Sequence, residues 1–289
     1  MTELVATTTG LFPLPDWAKS ELSDLKGHQK DDLIGGDESE EIEAQYDRAR
    51  EEAVERQTTA GLDRIVEGQY RWDDMLAHPL AVHDAVETRG IVPGPYSLAD
   101  LATDEHYGDG LLDAVADFLA GEIEAFPDHE TLYVLEPSLV ENAPGDGADE
   151  RASEAVDRIA GATDAEVVVQ PFYGALDEKV HAHLLDADVD AIGYDFVTDH
   201  EANLYNINEY GTTDSVALGL VDGQNTEVES PETIRERVAW VRENVPAAEF
   251  DTVYVAPNAE LFYLPTSRFE AKLDALAEAT TAAVEEVEA

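Results

Sequence analysis

Cysteine is missing altogether from the 289 residues. That removes disulfides, thiolate metal sites and cysteine nucleophiles from consideration. Basic residues are scarce, with 17 Lys and Arg against 65 Asp and Glu, for a formal net charge of −48. A nucleic-acid partner needs clustered cations facing phosphates, so none is expected. Long apolar runs are lacking as well. No stretch approaches the roughly 20 residues of a membrane span. The N-terminus MTELVATTTG has neither a basic region nor the apolar core of a secretion signal. These absences predict a cytoplasmic protein with no membrane partner.

Hydrophobic residues make up 44% of the chain, enough to bury a substantial core. The acids are spread along every predicted helix rather than gathered in one patch, and the bases are five lysines and twelve arginines. This pattern fits a surface kept soluble in molar salt, where the Debye length shrinks to about 3 Å and self-repulsion is screened. A halophilic, high-salt cytoplasm is therefore expected in preference to a specific polycation partner.

Short β-branched runs alternate with amphipathic stretches from end to end. Strands are predicted at 4–12, 63–68, 91–98, 131–137, 166–172, 190–196, 215–222 and 252–258. Helices are predicted at 38–60, 72–88, 109–126, 149–162, 175–186, 200–210, 231–244 and 266–287. In the 38–60 stretch, Ile42, Tyr46, Ala49 and Ala53 form one apolar stripe. Ser230-Pro231 supplies a cap and a first-turn proline for a later helix. Strands apolar on both faces and alternating with helices predict an α/β protein, a single (β/α)8 TIM barrel spanning residues 1–289. An open doubly wound sheet is the alternative. The stretches 27–40 and 145–147 read as the mobile loops, and no linker divides the chain.

In a barrel, function sits at the C-terminal ends of the strands. Those ends carry Thr7 to Thr9, Gln69 to Arg71, Tyr96, Glu136 with Glu141, and Gln170 with Tyr173. Asp195, Asp222 with Gln224 and Asn225, and Asn258 with Glu260 complete the ring. Carboxylates and amides dominate and histidine is lacking, which suits a small polar ligand better than a metal. Glu136, Asp195 and Asp222 can be read as acid/base groups raised in pKa by burial. They can also be read as helix caps or partners of Arg71, the preferred reading for Asp195 and Asp222. His181 and His183 are two apart on a predicted helix, so they point about 200° away from each other and read as a solvated face. His78 precedes a proline and reads as local structure. The chain has no GxGxxG phosphate loop and no GxSxG elbow.

Several motifs together resemble a known family. TTTGLFPLP (7–15), QTTAGLDRIVEGQYRWDDM (57–75), PGPYSLADL (93–101), LEPSLVENAP (135–144) and DVDAIGYDF (188–196) come first. LGLVDGQNTEVESPETI and APNAELFYLP then follow in order. The set is similar to the catalytic half of cobalamin-independent methionine synthase, in its short archaeal form. That resemblance implies a (β/α)8 barrel and methyl transfer to homocysteine held as a thiolate on zinc, in methionine biosynthesis.

The resemblance also shows what has been replaced. The family's zinc ligands fall on Gln170, Phe172, Asp195 and Ala259, of which phenylalanine and alanine offer no donor. Its proton-donating histidine falls on Gln224, a homocysteine-contacting serine on Leu11, and a homocysteine-binding glutamate on Gln69. An aspartate that binds the amino group falls on Leu135, while the nearby acid persists as Glu141. The connection through Thr88 to Val92 is shorter than the family's usual segment before strand three. No bound metal is expected, and a methyl-folate or related donor is the expected small-molecule ligand. Tyr96, Glu136, Glu141, Gln170, Asp195, Asp222, Gln224 and Asn258 are the expected binding residues, with no catalytic residue assigned. Three roles follow from the resemblance. The chain supports a zinc-bearing paralogue, or it is a methyltransferase of altered, zinc-independent mechanism, or it is another small-molecule barrel enzyme. The first needs no new chemistry and is the expected one.

Overall fold

A computed structural model describes residues 2–25, 40–70, 89–245 and 249–288. Seven strands alternate with helices. They are β1 (Glu3–Ala6), β2 (Arg89–Pro93), β3 (Thr131–Leu135), β4 (Glu166–Gln170), β5 (Ala191–Asp195), β6 (Ser215–Val221) and β7 (Thr252–Pro257). The helices are α1 (Asp16–Leu25), α2 (Glu40–Ala60), α3 (Pro95–Leu101), α4 (Leu111–Ile123) and α5 (Ser138–Glu141). They continue with α6 (Ala148–Ala160), α7 (Glu178–Leu184), α8 (His200–Tyr210), α9 (Pro231–Asn244) and α10 (Thr266–Glu288). All strand pairs are parallel, in the order β1-β7-β6-β5-β4-β3-β2.

The alternation within a strand assigns its side chains to two cores. Val167 and Val169 of β4 join the layer between sheet and helices, whereas Val168 joins an inner cluster with Ile91, Tyr133, Ala217 and Tyr254. A flat sheet of seven strands at about 4.8 Å spacing would keep β1 and β2 far apart. Here Arg89 of β2 donates from Nη1 to Thr7 Oγ1, just past β1, at 2.8 Å. The Tyr133 and Tyr254 rings, from β3 and β7, lie 6.2 Å apart. The sheet is therefore curled, with Arg89 stacked on Tyr133 inside the curl.

The expected helical stripe is in place, with Ile42, Tyr46, Ala49 and Ala53 all buried on α2. Ser230 accepts from the Thr233 N–H at 3.2 Å and Pro231 opens α9, as its sequence requires. Three strand assignments are corrected. The stretch 63–68 is irregular. Its Asp63 and Arg64 N–H groups both turn to the single carbonyl of Ala6, and Asp63 Oδ2 takes the Ala6 N–H, so no ladder forms. The first strand stops at Ala6; the Thr7 N–H still bonds Val255 O at 3.1 Å, but beyond it the threonine hydroxyls turn to loop carbonyls, as with Thr9 Oγ1 to Ala259 O at 2.7 Å. The 91–98 strand ends at Pro93, and Pro95 starts α3 instead. The expected helix at 72–88 and most of the 27–40 loop lie outside the described residues, as do Arg71 and His78. No helix among the described residues is long and apolar enough to cross a membrane.

Candidate functional site

At the C-terminal ends of β5, β6 and β7 an open cleft of about 490 Å³ is lined by Val197, Thr198, Asp222, Gln224, Asn225, Thr226 and Asn258. The turn after β6 builds one wall. Asp222 Oδ1 accepts the Gln224 N–H and Asn225 Oδ1 accepts the Glu227 N–H, both at 2.9 Å, so each acidic or amide side chain folds its own turn. Asp222, Gln224 and Asn258 are thus brought together as expected, with Asn225 beside them.

Asn258 joins the walls. Its Oδ1 takes the Gly223 N–H at 2.9 Å, and its Nδ2 donates to Asp195 Oδ2 at 3.2 Å and to Thr198 Oγ1 at 3.2 Å. Asp195 itself is buried and lies behind the cleft. Its Oδ1 accepts the Val197 and Thr198 N–H groups at 3.0 and 2.8 Å, holding the entrance to α8. Burial pushes the Asp195 carboxyl up, and these donors oppose the shift. It holds the turn before α8, and the cap of that helix is Asp199, whose side chain takes the Ala202 N–H. Gly223 fits flush against the next loop, because a Cβ there would stand 2.7 Å from the carbonyl oxygens of Ala259 and Glu260. From the cleft edge Gln224 Nε2 reaches Glu260 Oε1 at 3.2 Å, and Tyr173 Oη donates to Glu260 Oε2 at 2.7 Å. Tyr173 holds a left-handed backbone with φ of 69°, a costly conformation for a bulky residue.

The remaining expected residues do not line this cleft. Glu136 is fully buried and its carboxylate takes three donors: Tyr96 N at 2.9 Å, Ser97 N at 2.8 Å and Ser97 Oγ at 2.6 Å. Burial pushes its carboxyl up to about 7 against those donors. It closes the first turn of α3, fully buried and outside the lining of the cleft. Tyr96 turns its hydroxyl to Asn142 O at 2.8 Å. Glu141 is exposed on α5. Gln170 is buried, donates to Pro171 O at 2.9 Å and packs over Gly193, where a Cβ would lie 2.6 Å from its Oε1.

The zinc set implied by the resemblance does not fit these residues. Phe172 is a buried ring 5.7 Å from Tyr173, and Ala259 is a buried methyl. Gln170 gives its Nε2 to Pro171 O and leaves Oε1 buried without a partner among the described residues, while Asp195 is taken by the Val197 and Thr198 N–H groups and by Asn258 Nδ2. Among the described residues no three His, Asp or Glu side chains gather as metal ligands would. His181, expected on a solvated face, is instead buried, because α7 turns it onto β5, with Nε2 3.0 Å from Tyr194 Oη. His183, on the other side of the helix, is partly exposed, 3.9 Å from Asp149.

The sequence reading missed Thr198 and Thr226. Thr198 carries a signal in hindsight, since it stands three residues after Asp195, the spacing of a side-chain-capped turn. Nothing in the sequence marks Thr226.

The family model for "Cobalamin-independent synthase, N-terminal domain" matches residues 80–245, more than half of the chain. The chain belongs to this family. The matched region is the N-terminal domain, whereas the sequence motifs resemble the catalytic half. The chain is 25% identical over 191 residues to the 5-methyltetrahydropteroyltriglutamate–homocysteine methyltransferase of Bacillus subtilis (strain 168). That match covers 63% of the chain and 24% of the relative, so the chain spans about a quarter of the length of the curated relatives it matches. The Bacillus cereus (strain G9842) protein of the same name is likewise 25% identical, over 193 residues covering 64% of this chain and 24% of that one. In fold it is similar to a B12-independent methionine synthase from Shewanella sp. W3-18-1 in complex with selenomethionine. The TM-score is 0.74 at 16% identity, covering 98% of both chains. A putatively named B12-independent methionine synthase of Listeria monocytogenes gives 0.70 at 16% identity, again over 98% of both.

Proposed function

We infer that this family member is a barrel without zinc that binds a methyl donor in the cleft at β5–β7 and supports a zinc-bearing paralogue in methionine biosynthesis. In this reading residues 62–70 occupy the eighth position of the barrel and the molecule works in a high-salt cytoplasm. The observation that carries it is the chemistry of the cleft. Asp222, Gln224, Asn225, Thr226, Thr198 and Asn258 supply carboxylate, amide and hydroxyl groups. The positions that would activate a thiol are occupied by Phe172, Ala259 and Gln224. A methyltetrahydropterin presents ring N–H donors and a carbonyl acceptor, which such groups can match in pairs. Among the described residues the lining contains no Lys, Arg or His. An anionic triglutamate tail would then point out of the cleft, toward solvent or a second chain.

Without a metal to hold the sulfur as thiolate, a free thiol with a pKa near 8.5 stays mostly protonated at neutral pH. The chain alone should therefore fail to methylate homocysteine. Titration with 5-methyltetrahydropteroyltriglutamate in molar KCl should show saturable binding. Mixing with a zinc-bearing paralogue of the same genome should form a complex and raise that partner's turnover. Turnover by the isolated chain would favour a zinc-independent methyltransferase instead. Absence of both binding and stimulation would overturn the reading.

A further inference from the structure

The turn that carries most of the cleft is held from outside the cleft. Glu229 closes it on itself: Oε1 accepts the Asp222 N–H at 2.8 Å, tying the last residue of the turn to the first. The other oxygen, Oε2, takes Lys272 Nζ at 2.8 Å. Lys272 comes from α10, is 0% exposed, and also donates to the Glu227 carbonyl. Arg237 of α9 stands 3.7 Å from Glu229 Oε1 and donates to the Leu220 carbonyl, at the end of β6. An ammonium with no solvent access needs its charge and its protons matched. Here both acceptors belong to the same eight-residue turn, 222–229.

We propose that Lys272 is the positioning residue of the cleft. From α10 it fixes Glu227 and Glu229, and through them the backbone that sets Asp222, Gln224, Asn225 and Thr226 in place. The geometry is that of a latch whose buried bolt is Lys272, with Arg237 beside it at 3.7 Å from Glu229 Oε1. Asn258 holds the near side of the turn through the Gly223 N–H, and Lys272 holds the far side. Because the Lys272–Glu229 pair is buried, salt screens it far less than the surface pairs. The turn then keeps its shape at ionic strengths at which exposed pairs weaken. Only the binding arm of the test below rests on the cleft being the ligand site.

The test compares wild type with Lys272→Met, which keeps length and removes charge, and with K272M/E229Q, which removes both charges. In K272M amide exchange across 222–229 should rise about ten-fold, with strand β4 unchanged. Affinity for 5-methyltetrahydropteroyltriglutamate should fall about ten-fold, which is ~1.4 kcal/mol. K272M/E229Q should exchange as fast as K272M in the turn and melt no lower, because the buried Glu229 carboxylate, which K272M leaves with Arg237 alone, is removed together with its partner. Should K272M alone fail to fold, the exchange rate of the double variant decides in the same way. Unchanged exchange in the turn overturns the latch, whatever happens to binding. If wild type binds no pterin while K272M still loosens the turn, the latch stands and the functional reading falls.

Discussion

The C-terminal face of the sheet has two halves built from the same residue types and put to opposite uses. Around β6 and β7, Asp222, Gln224 and Asn225 stand on a braced turn with their outer atoms toward an open cleft. Around β2 to β4, Glu136 and Gln170 are folded inward onto neighbouring glycines, Gly94 and Gly193. Gln69 does the same over Gly10, where a Cβ would lie 2.2 Å from its Oε1. On that side these three side chains lie down against the backbone. An acid or amide at a strand end is thus no evidence of a ligand site until the residue opposite it is known. A glycine there lets the side chain lie down; a backbone wall, as at Gly223, leaves it standing.

The largest effect should come from denying Glu136 its place. In Gly94→Ala the new Cβ would lie 2.0 Å from Glu136 Cδ, and that side chain is itself pinned by three donors. Relief requires breaking the cap or moving β2. A loss of about 3 kcal/mol is expected, at the upper end of overpacking costs. Gly121 of α4 meets nothing within 4 Å. There Gly→Ala should stabilise by roughly 0.5–1 kcal/mol through a less flexible unfolded chain. Denaturant melts of both variants in molar KCl check the contrast, and equal effects would mean that the packed half is not packed.

The second effect is in pH. The Glu136 carboxyl is raised from 4.5 to about 7 when folded, so the folded chain holds a proton that the unfolded chain releases. Its contribution is fully present below about 4.5 and is lost as pH rises through about 7. The upper bound is roughly 3 kcal/mol. In Glu136→Gln, stability should fall less steeply over that window than in wild type, whatever the amide costs in itself. Buried His181 works with the opposite sign. Its imidazole is lowered from 6.5 to about 4 by burial, so its contribution is present above 6.5 and lost as pH falls through about 4. His181→Gln should flatten the acid side of the same curve. Thermal melts from pH 4 to 8 separate the two, and identical slopes in wild type and E136Q would show that the carboxyl ionises as freely folded as unfolded.

What the sequence made legible follows from where physics is local. Strand and helix order, the α2 stripe and the Ser230–Pro231 start depend on periodicity and capping within a few residues, and all three are in place. Residues 63–68 read as a strand because Ile65 and Val66 suit one. Whether they pair depends on contacts with β1 distant in sequence, where Asp63 spends the first bonds on a single carbonyl. The site was half legible for the same reason. Asp222, Gln224 and Asn258 were found by counting along strand ends. The burial of Glu136 depends on Gly94, which lies 42 residues away in the chain. Lys272 and Glu229 were invisible because a lysine on an amphipathic helix looks solvated until the turn that covers it is in view.

The smallest effect on stability should mark the largest on function. Asp222 is only partly buried, and among the described residues its side chain accepts the Gln224 N–H within its own turn. In Asp222→Asn the side-chain oxygen can keep that bond, so the stability change should stay within about 0.5 kcal/mol, as at ordinary surface positions. The lost carboxylate is the one the cleft would offer to ligand N–H groups, and a hydrogen bond to a charged group is worth about 1.5–3 kcal/mol. Pterin affinity should therefore drop roughly ten-fold or more while the melting curve barely moves. E136Q should do the reverse, shifting the melt and its pH slope with little change in binding. If D222N binds as tightly as wild type and E136Q does not, the two halves of the face have been assigned the wrong way round.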